Sequence, residues 1–290
     1  MAPTPPGPLP AHARLGPVHL RVADRTLTLD WYARVTGASL RGEDGGRARL
    51  GPEGGPTLLT LREVRGAQPV PRSGRLGLYH HALLLPSRSH LASFVRHLDA
   101  IGEPWAGSDH LFSEAVYLTD PDGLTLEVYA DRPRSAWRWR EGQLEGAVDP
   151  LDLADLLAQP HDPWRALPAG TTLGHVHLFV DDLVRAERFH VQGLGFEPTT
   201  RRFPGALFVA AGGYHHHVGL NTWAARAPLA GPQDAGLDAW TIVLAAPHEV
   251  NAVADRLAAL GIEVRAVDSG IEATDPWGIG VRIQAGPEHD

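Results

Sequence analysis

Residues 174–180 read GHVHLFV, an apolar strand with histidine at its second and fourth positions. Strands of the same kind stand at Gly16–Val22 (GPVHLRV), Leu78–Leu85 (LYHHALLL) and Leu237–Leu244 (LDAWTIVL). Each is followed by a helix-like stretch running to a glycine, over Arg25–Gly37, Ser89–Gly102, Leu183–Gly195 and His248–Gly261. In the second of these Leu91, Phe94, Val95, Leu98 and Ile101 recur every three to four residues, the period of an amphipathic helix. Short strands close the units at Pro56–Val64, Leu124–Ala130, Tyr214–Trp223 and Gly280–Gln284. Units two and four enter the last strand through matching turns, Asp120-Pro121-Asp122-Gly123 and Asp275-Pro276-Trp277-Gly278, where proline and glycine set the backbone. The chain therefore predicts a fourfold βαβββ repeat.

At about 150 residues per domain, 290 residues suit two modules of two units each. The expected boundaries are a loose proline-rich tail over 1–14, a module over 15–137, a linker with one short helix over 138–171, and a second module over 172–286. Hydrophobic residues at 43% and charged residues at 21% are those of a globular protein. No apolar run approaches the roughly 18 residues of a membrane span, and the opening stretch lacks the basic start and apolar centre of a secretory signal. A cytoplasmic protein is expected, with no membrane partner. A net charge of -8 provides no footprint for nucleic acid.

Cysteine is absent, which excludes disulfides, thiolate nucleophiles, zinc-thiolate sites and iron–sulfur clusters. All 26 basic residues are Arg, so a Schiff-base or P-loop lysine is excluded as well. Against this, 16 histidines stand beside one Met, and a metal held by His and carboxylate is the chemistry left open.

The repeat resembles the vicinal oxygen chelate superfamily, which includes glyoxalase I, fosfomycin-resistance proteins, bleomycin-binding proteins and type I extradiol dioxygenases. The stretches GLYHHALLLPSR (77–88), DHLFSEAVYLTDPDGLTLEVYADRPRSAW (109–137) and AGGYHHHVGLNTW (211–223) are similar to the two-module catechol-2,3-dioxygenase group within it. The resemblance implies an α+β fold in which four βαβββ units form two cupped half-barrel modules. It also implies metal ligands on the first and last strands of each paired unit.

With the strands aligned on their shared exits, the first-strand position reads Pro17, His80, His175 and Ala239. The last-strand position reads near Leu61 in unit one, Glu127 in unit two, His217 or a neighbour in unit three, and Arg282 in unit four. Only units two and three carry ligand types. Because side chains alternate faces along a strand, Glu127 and Thr125 point into the cup, and a strand over 214–223 would send His215, His217 and Asn221 inward and His216 away. A single histidine on a strand is more often a hydrogen-bonded core residue; the pattern at homologous positions of two units is what favours a site.

The resemblance implies His80, Glu127 and His175 as metal ligands, with His217 as acid–base residue and His215 in reserve. It implies Tyr117, ten residues before Glu127, and His110, seventeen before it, as substrate-orienting donors. Asn221 is a further cup candidate. In well-known extradiol enzymes one module supplies the ligands in the order His, His, Glu. The order here, His80, Glu127, His175, requires units two and three to share a cup, or else marks a degenerate module without metal.

Two histidines and a carboxylate are the facial triad of non-haem Fe(II) oxygenases. The expected activity is thus extradiol cleavage of a catechol, with a small aromatic diol and dioxygen as partners and Fe(II) as cofactor, Mn, Ni and Zn being alternatives. A homo-oligomer is compatible with this reading. The competing expectations are a glyoxalase or fosfomycin-resistance type metal enzyme with four protein ligands, and a metal-free binding protein of the bleomycin-resistance kind.

Overall fold

A computed structural model describes residues 7–71, 74–267 and 269–286. Unit one contains β1 (Arg14–Val22), α1 (Arg25–Thr36), β2 (Ser39–Asp44), β3 (Arg47–Gly51) and β4 (Leu59–Glu63). Unit two contains β5 (Gly77–Leu84), α2 (Arg88–Ile101), β6 (Ala106–Asp109), β7 (Ser113–Thr119) and β8 (Thr125–Asp131). The connecting segment carries β9 (Trp139–Arg140), β10 (Gln143–Leu144), β11 (Asp149–Pro150) and the short helix α3 (Leu153–Leu157). Unit three contains β12 (Thr172–Phe179), α4 (Leu183–Glu187), β13 (Glu197–Thr200), β14 (Ala206–Ala210) and β15 (Val218–Asn221). Unit four contains β16 (Gly236–Leu244), α5 (Pro247–Ala259), β17 (Val264–Val267), β18 (Gly270–Thr274) and β19 (Gly280–Ala285).

The four units make two mixed sheets, and neither sheet is built from consecutive halves of the chain. One runs β17-β18-β19-β16-β1-β4-β3-β2, joining units four and one, and the other runs β11-β6-β7-β8-β5-β12-β15-β14-β13, joining units two and three. Within each unit the first strand pairs in parallel with the last, and the two units of a sheet meet through antiparallel first strands, β1 with β16 and β5 with β12. The open question of unit pairing is thus answered as two with three and one with four. Leu83, Phe94, Val95, Leu126 and Val128, all at most 1% exposed, belong to the apolar layer under the helices.

Local sequence sets the element ends. Asp24, Ser87 and Asp182 cap α1, α2 and α4 by accepting from backbone N–H groups of the first turn, and Gly37 and Gly102 end α1 and α2 in the left-handed conformation. The two matching turns are Asx turns: Asp120 accepts from the N–H of Asp122 and of Leu124, and Asp275 from those of Trp277 and Ile279.

Three expectations need correction. The helix expected over 183–195 is α-helical only to Glu187 and widens into a π-turn over Arg188–Leu194, where His190 donates from Nδ1 to the Ala186 carbonyl that a regular helix would reserve for its own ladder. The closing strand of unit three spans Val218–Asn221 and leaves residues 214–217 outside it. Finally, the expected tail over 1–14 is held from its seventh residue: Gly7 accepts from Arg256 Nη1, Leu9 N–H donates to Gly195, and β1 starts at Arg14. Residues 1–6 of that tail lie outside the described residues.

Candidate metal centre

Two rows of paired residues cross the seam of the nine-stranded sheet. In one, Glu127 of β8 lies beside Ala82 of β5 and His175 of β12; in the next, Thr125, His80, His177 and Gly219 follow in the same order. Strand alternation puts His80, Ala82, Glu127, His175 and His177 on the cup face and sends His81 to the helix side, where it meets the Tyr32 hydroxyl at 3.1 Å. Ala82 fills little of its row, so Glu127 and His175 close over it toward His80.

The result is a triangle of donors. His80 Nε2 lies 3.0 Å from Glu127 Oε2, His175 Nε2 lies 3.1 Å from the same oxygen, and the two nitrogens are 3.3 Å apart. The three residues are at most 4% exposed. Donors about 2.1 Å from a common centre and at right angles to one another lie about 3.0 Å apart, so the triangle has the dimensions of three facial ligands of a divalent metal. Burial pulls His175 down to about 4, which keeps its ring neutral and its lone pair available. Burial pushes the Glu127 carboxyl up, but His175 and His80 outweigh it and hold the group well below the usual carboxylate range. The Nδ1 atoms of both rings are buried without a hydrogen-bond partner, so the convergence at Nε2 is what orients them.

The triad opens onto a cavity of about 200 Å³ lined also by Tyr79, His110, Tyr117, His177, His215 and His216. His110 and Tyr117 are where the spacing puts them. His110 Nδ1 lies 2.8 Å from the Ala147 carbonyl and must donate to it, so its Nε2 accepts from the Tyr117 hydroxyl at 2.8 Å. Burial, followed by the charge of Glu127, raises Tyr117 well above its ordinary value and keeps that proton in place.

The third-unit expectations fail in part, for one reason. Gly212 and Gly213 both have positive φ, and although His217 bonds through its backbone to Val209 and Val176, the regular strand begins only at Val218, so strand alternation does not extend over residues 215–217. His217 is corrected: it points to a second cavity bordered by Leu173, Ala211 and Tyr214, and its Nδ1 accepts from Ala211 N–H. His215 faces the cup, yet both its nitrogens are engaged, Nε2 with Asp131 Oδ1 at 2.9 Å and Nδ1 with His216 Nδ1 at 2.7 Å. His216, expected to point away, lines the cavity with its ring 4.2 Å from that of His175. Asn221, inside the strand and on the same face as Gly219, is fully buried and acts through His177, donating from Nδ2 to His177 Nε2 at 2.9 Å. His177 and His216 are the residues the sequence reading did not assign; the recurrence of His at the second and fourth positions of GHVHLFV was the available signal for the first.

Register also amends the homologous last-strand positions. Those paired as Glu127 is paired with Ala82 are Thr60 in unit one, where Leu61 was expected, Gly219 in unit three and Arg282 in unit four. Gly219 has no side chain, and a Cβ there would come within 2.8 Å of the His177 ring. In the other cup Arg282 pairs with Glu272 at 2.8 Å and lies 3.2 Å from His19 Nε2. Among the described residues, His80, Glu127 and His175 form the one cluster of three or more such side chains dimensioned for a metal.

Comparison with known proteins places these features in context. The family described as Glyoxalase/Bleomycin resistance protein/Dioxygenase superfamily matches residues 14–128. A catechol-2,3-dioxygenase of Bacillus subtilis (strain 168) is 39% identical over 271 residues, covering 90% of this chain and 93% of that protein. In fold, the chain is similar to a putative dioxygenase of Bacillus subtilis subsp. subtilis str. 168 (TM-score 0.64, 17% identity, 97% of this chain and 86% of that one). It is also similar to glyoxalase I of Zea mays (TM-score 0.54, 17% identity, 94% and 93%). No helix among the described residues is long and apolar enough to cross a membrane.

Proposed function

Because the chain belongs to the glyoxalase/bleomycin resistance/dioxygenase superfamily, we propose that it is a non-haem Fe(II) extradiol dioxygenase of the catechol 2,3-dioxygenase type. The observation that carries this reading is the number of protein donors. His80, Glu127 and His175 occupy one face, while the fourth homologous position is Gly219 and His217 points elsewhere. A glyoxalase-type centre with four protein ligands would need a donor there; three leave room for two substrates.

When bound, Fe(II) would supply the adjacent positions at which a catechol and dioxygen meet. The ring then opens beside the two hydroxyl-bearing carbons, with dioxygen as oxidant and both its atoms retained in the product. His216 carries the proton: its Nδ1 is committed to His215, and its Nε2 is the ring nitrogen left toward the cavity. Burial holds it well below the ordinary histidine value, which keeps the resting ring neutral and favours the return, as the ring opens, of a proton taken from the catechol. Tyr117, whose proton is given to His110, presents its oxygen as an acceptor toward the diol and orients it. His177, fixed by Asn221, borders the cavity beside His80, ring centroids 4.9 Å apart.

Anaerobic reconstitution with Fe(II), followed by catechol and air, tests the proposal. A yellow ring-fission product should form. Iron-loaded protein that leaves a panel of catechols uncleaved would remove the dioxygenase reading.

A further inference from the structure

The diol end of the ligand is set by the reading above; the other end meets a wall of a different kind. Phe112, Val148, Phe203, Phe208 and Trp223 line it, and Val148 and Trp223 are 69% and 51% exposed. These are apolar surfaces kept open to water in a chain that buries most of its large side chains. Trp223 is held there by two bonds, its indole N–H to the Pro204 carbonyl at 2.9 Å and its backbone N–H to Asn221 Oδ1 at 3.0 Å.

Among the described residues no arginine lines the cavity, and Glu127, at the metal end, is the one acidic side chain that does. Arginines close in sequence to the lining residues are turned into ion pairs elsewhere: Arg132 with Asp109 at 2.6 Å, Arg201 with Glu187 at 2.6 Å and Arg202 with Glu141 at 3.4 Å. Of the lining hydroxyls, Ser108 donates to the Asp149 carbonyl, while Thr200, which accepts from Arg202 N–H, and Tyr79 are neutral groups. The chain has no lysine.

We infer that the catechols this cavity selects carry an uncharged apolar ring substituent, an alkyl or aryl group, and that a carboxylate substituent is rejected. A carboxylate against this wall loses water and meets no arginine or lysine to offset its charge. An alkyl or aryl group removes apolar surface of its own, and of Val148 and Trp223, from contact with water.

The test compares 4-ethylcatechol with 3,4-dihydroxyphenylacetate, which reach similarly far and differ in charge. Calorimetry on the metal-loaded protein under strict exclusion of oxygen reads binding alone, and kcat/KM in air reads turnover. The expected preference for the ethyl compound is about 100-fold or more in both. Phe203→Arg should shift the ratio at least about tenfold toward the carboxylate. If that variant does not fold, Val148→Arg at the exposed mouth serves the same purpose. Binding of both compounds within about tenfold of each other, or an arginine variant with an unchanged ratio, would overturn the inference and leave the dioxygenase reading intact. The expected binding order without turnover of either compound would overturn the dioxygenase reading and leave the inference standing.

Discussion

Asp131 Oδ1 lies 2.9 Å from His215 Nε2, on the far side of that ring from His216. The carboxylate can only accept, so His215 Nε2 donates to it, and in the neutral ring His215 Nδ1 is then a lone pair. His216 must then donate from Nδ1, which leaves its Nε2 unprotonated on the cavity side. Asp131, which touches none of the three donors, thereby selects the tautomer of the proposed acid–base residue. Asp131→Leu should release that choice and lower kcat about tenfold or more with KM little changed, and Asp131→Asn, which keeps an oxygen in place, should restore most of it. Long-range ¹H–¹⁵N correlations of the His216 ring should report a mixed tautomer in the leucine variant; an unchanged pattern would sink the argument.

Two neighbouring histidines should behave in opposite ways. His216→Gln should retain metal and lose about 10²–10⁴-fold in turnover, the usual worth of a positioned acid or base. His217→Gln, whose side chain faces the other cavity, should stay within a few-fold of the parent. Steady-state rates and metal content of the two variants decide the matter, and a reversed order would return the role to His217.

Glu127 is the single anionic donor of the triangle. Glu127→Gln removes the charge that offsets a divalent cation and should lose metal. Metal analysis after dialysis against a fixed chelator concentration measures this beside His216→Gln. Equal retention by both variants would exclude Glu127 as a ligand.

The legible part of this site is the part governed by strand arithmetic. His80, Glu127 and His175 sit on regular strands, and counting back from the common strand exits brings them to one place once two units share a sheet. That arithmetic fails at His215, His216 and His217, because Gly212 and Gly213 turn the backbone ahead of the strand and no period applies there. Asp131 was invisible for a different reason: its role depends on a contact between units 84 residues apart in sequence. The unit pairing was likewise open in the sequence, since each first strand could present its edge to either neighbour until packing chose.

Away from the cup, His190 should make the fold acid-sensitive. Its ring is fully buried, 6.4 Å from Trp240 and nearly parallel to it, with Nδ1 on the Ala186 carbonyl and Nε2 without a partner. Burial, only partly opposed by the bond to Ala186, pulls the group down to about 4, whereas an unfolded histidine titrates near 6.5. Between those values the unfolded chain binds a proton that the folded chain does not, so stability is complete above about pH 6.5 and falls as the pH drops toward 4. At pH 5 this one residue should cost about 2 kcal/mol relative to pH 7. His190→Phe keeps an aromatic ring beside Trp240 and removes the titration. Urea unfolding at pH 7 and pH 5 should show a loss of stability smaller by about 2 kcal/mol in His190→Phe than in the parent. If both proteins lose the same amount, His190 is not the group responsible, and the acid sensitivity must be sought at His217, which burial pulls down to about 3.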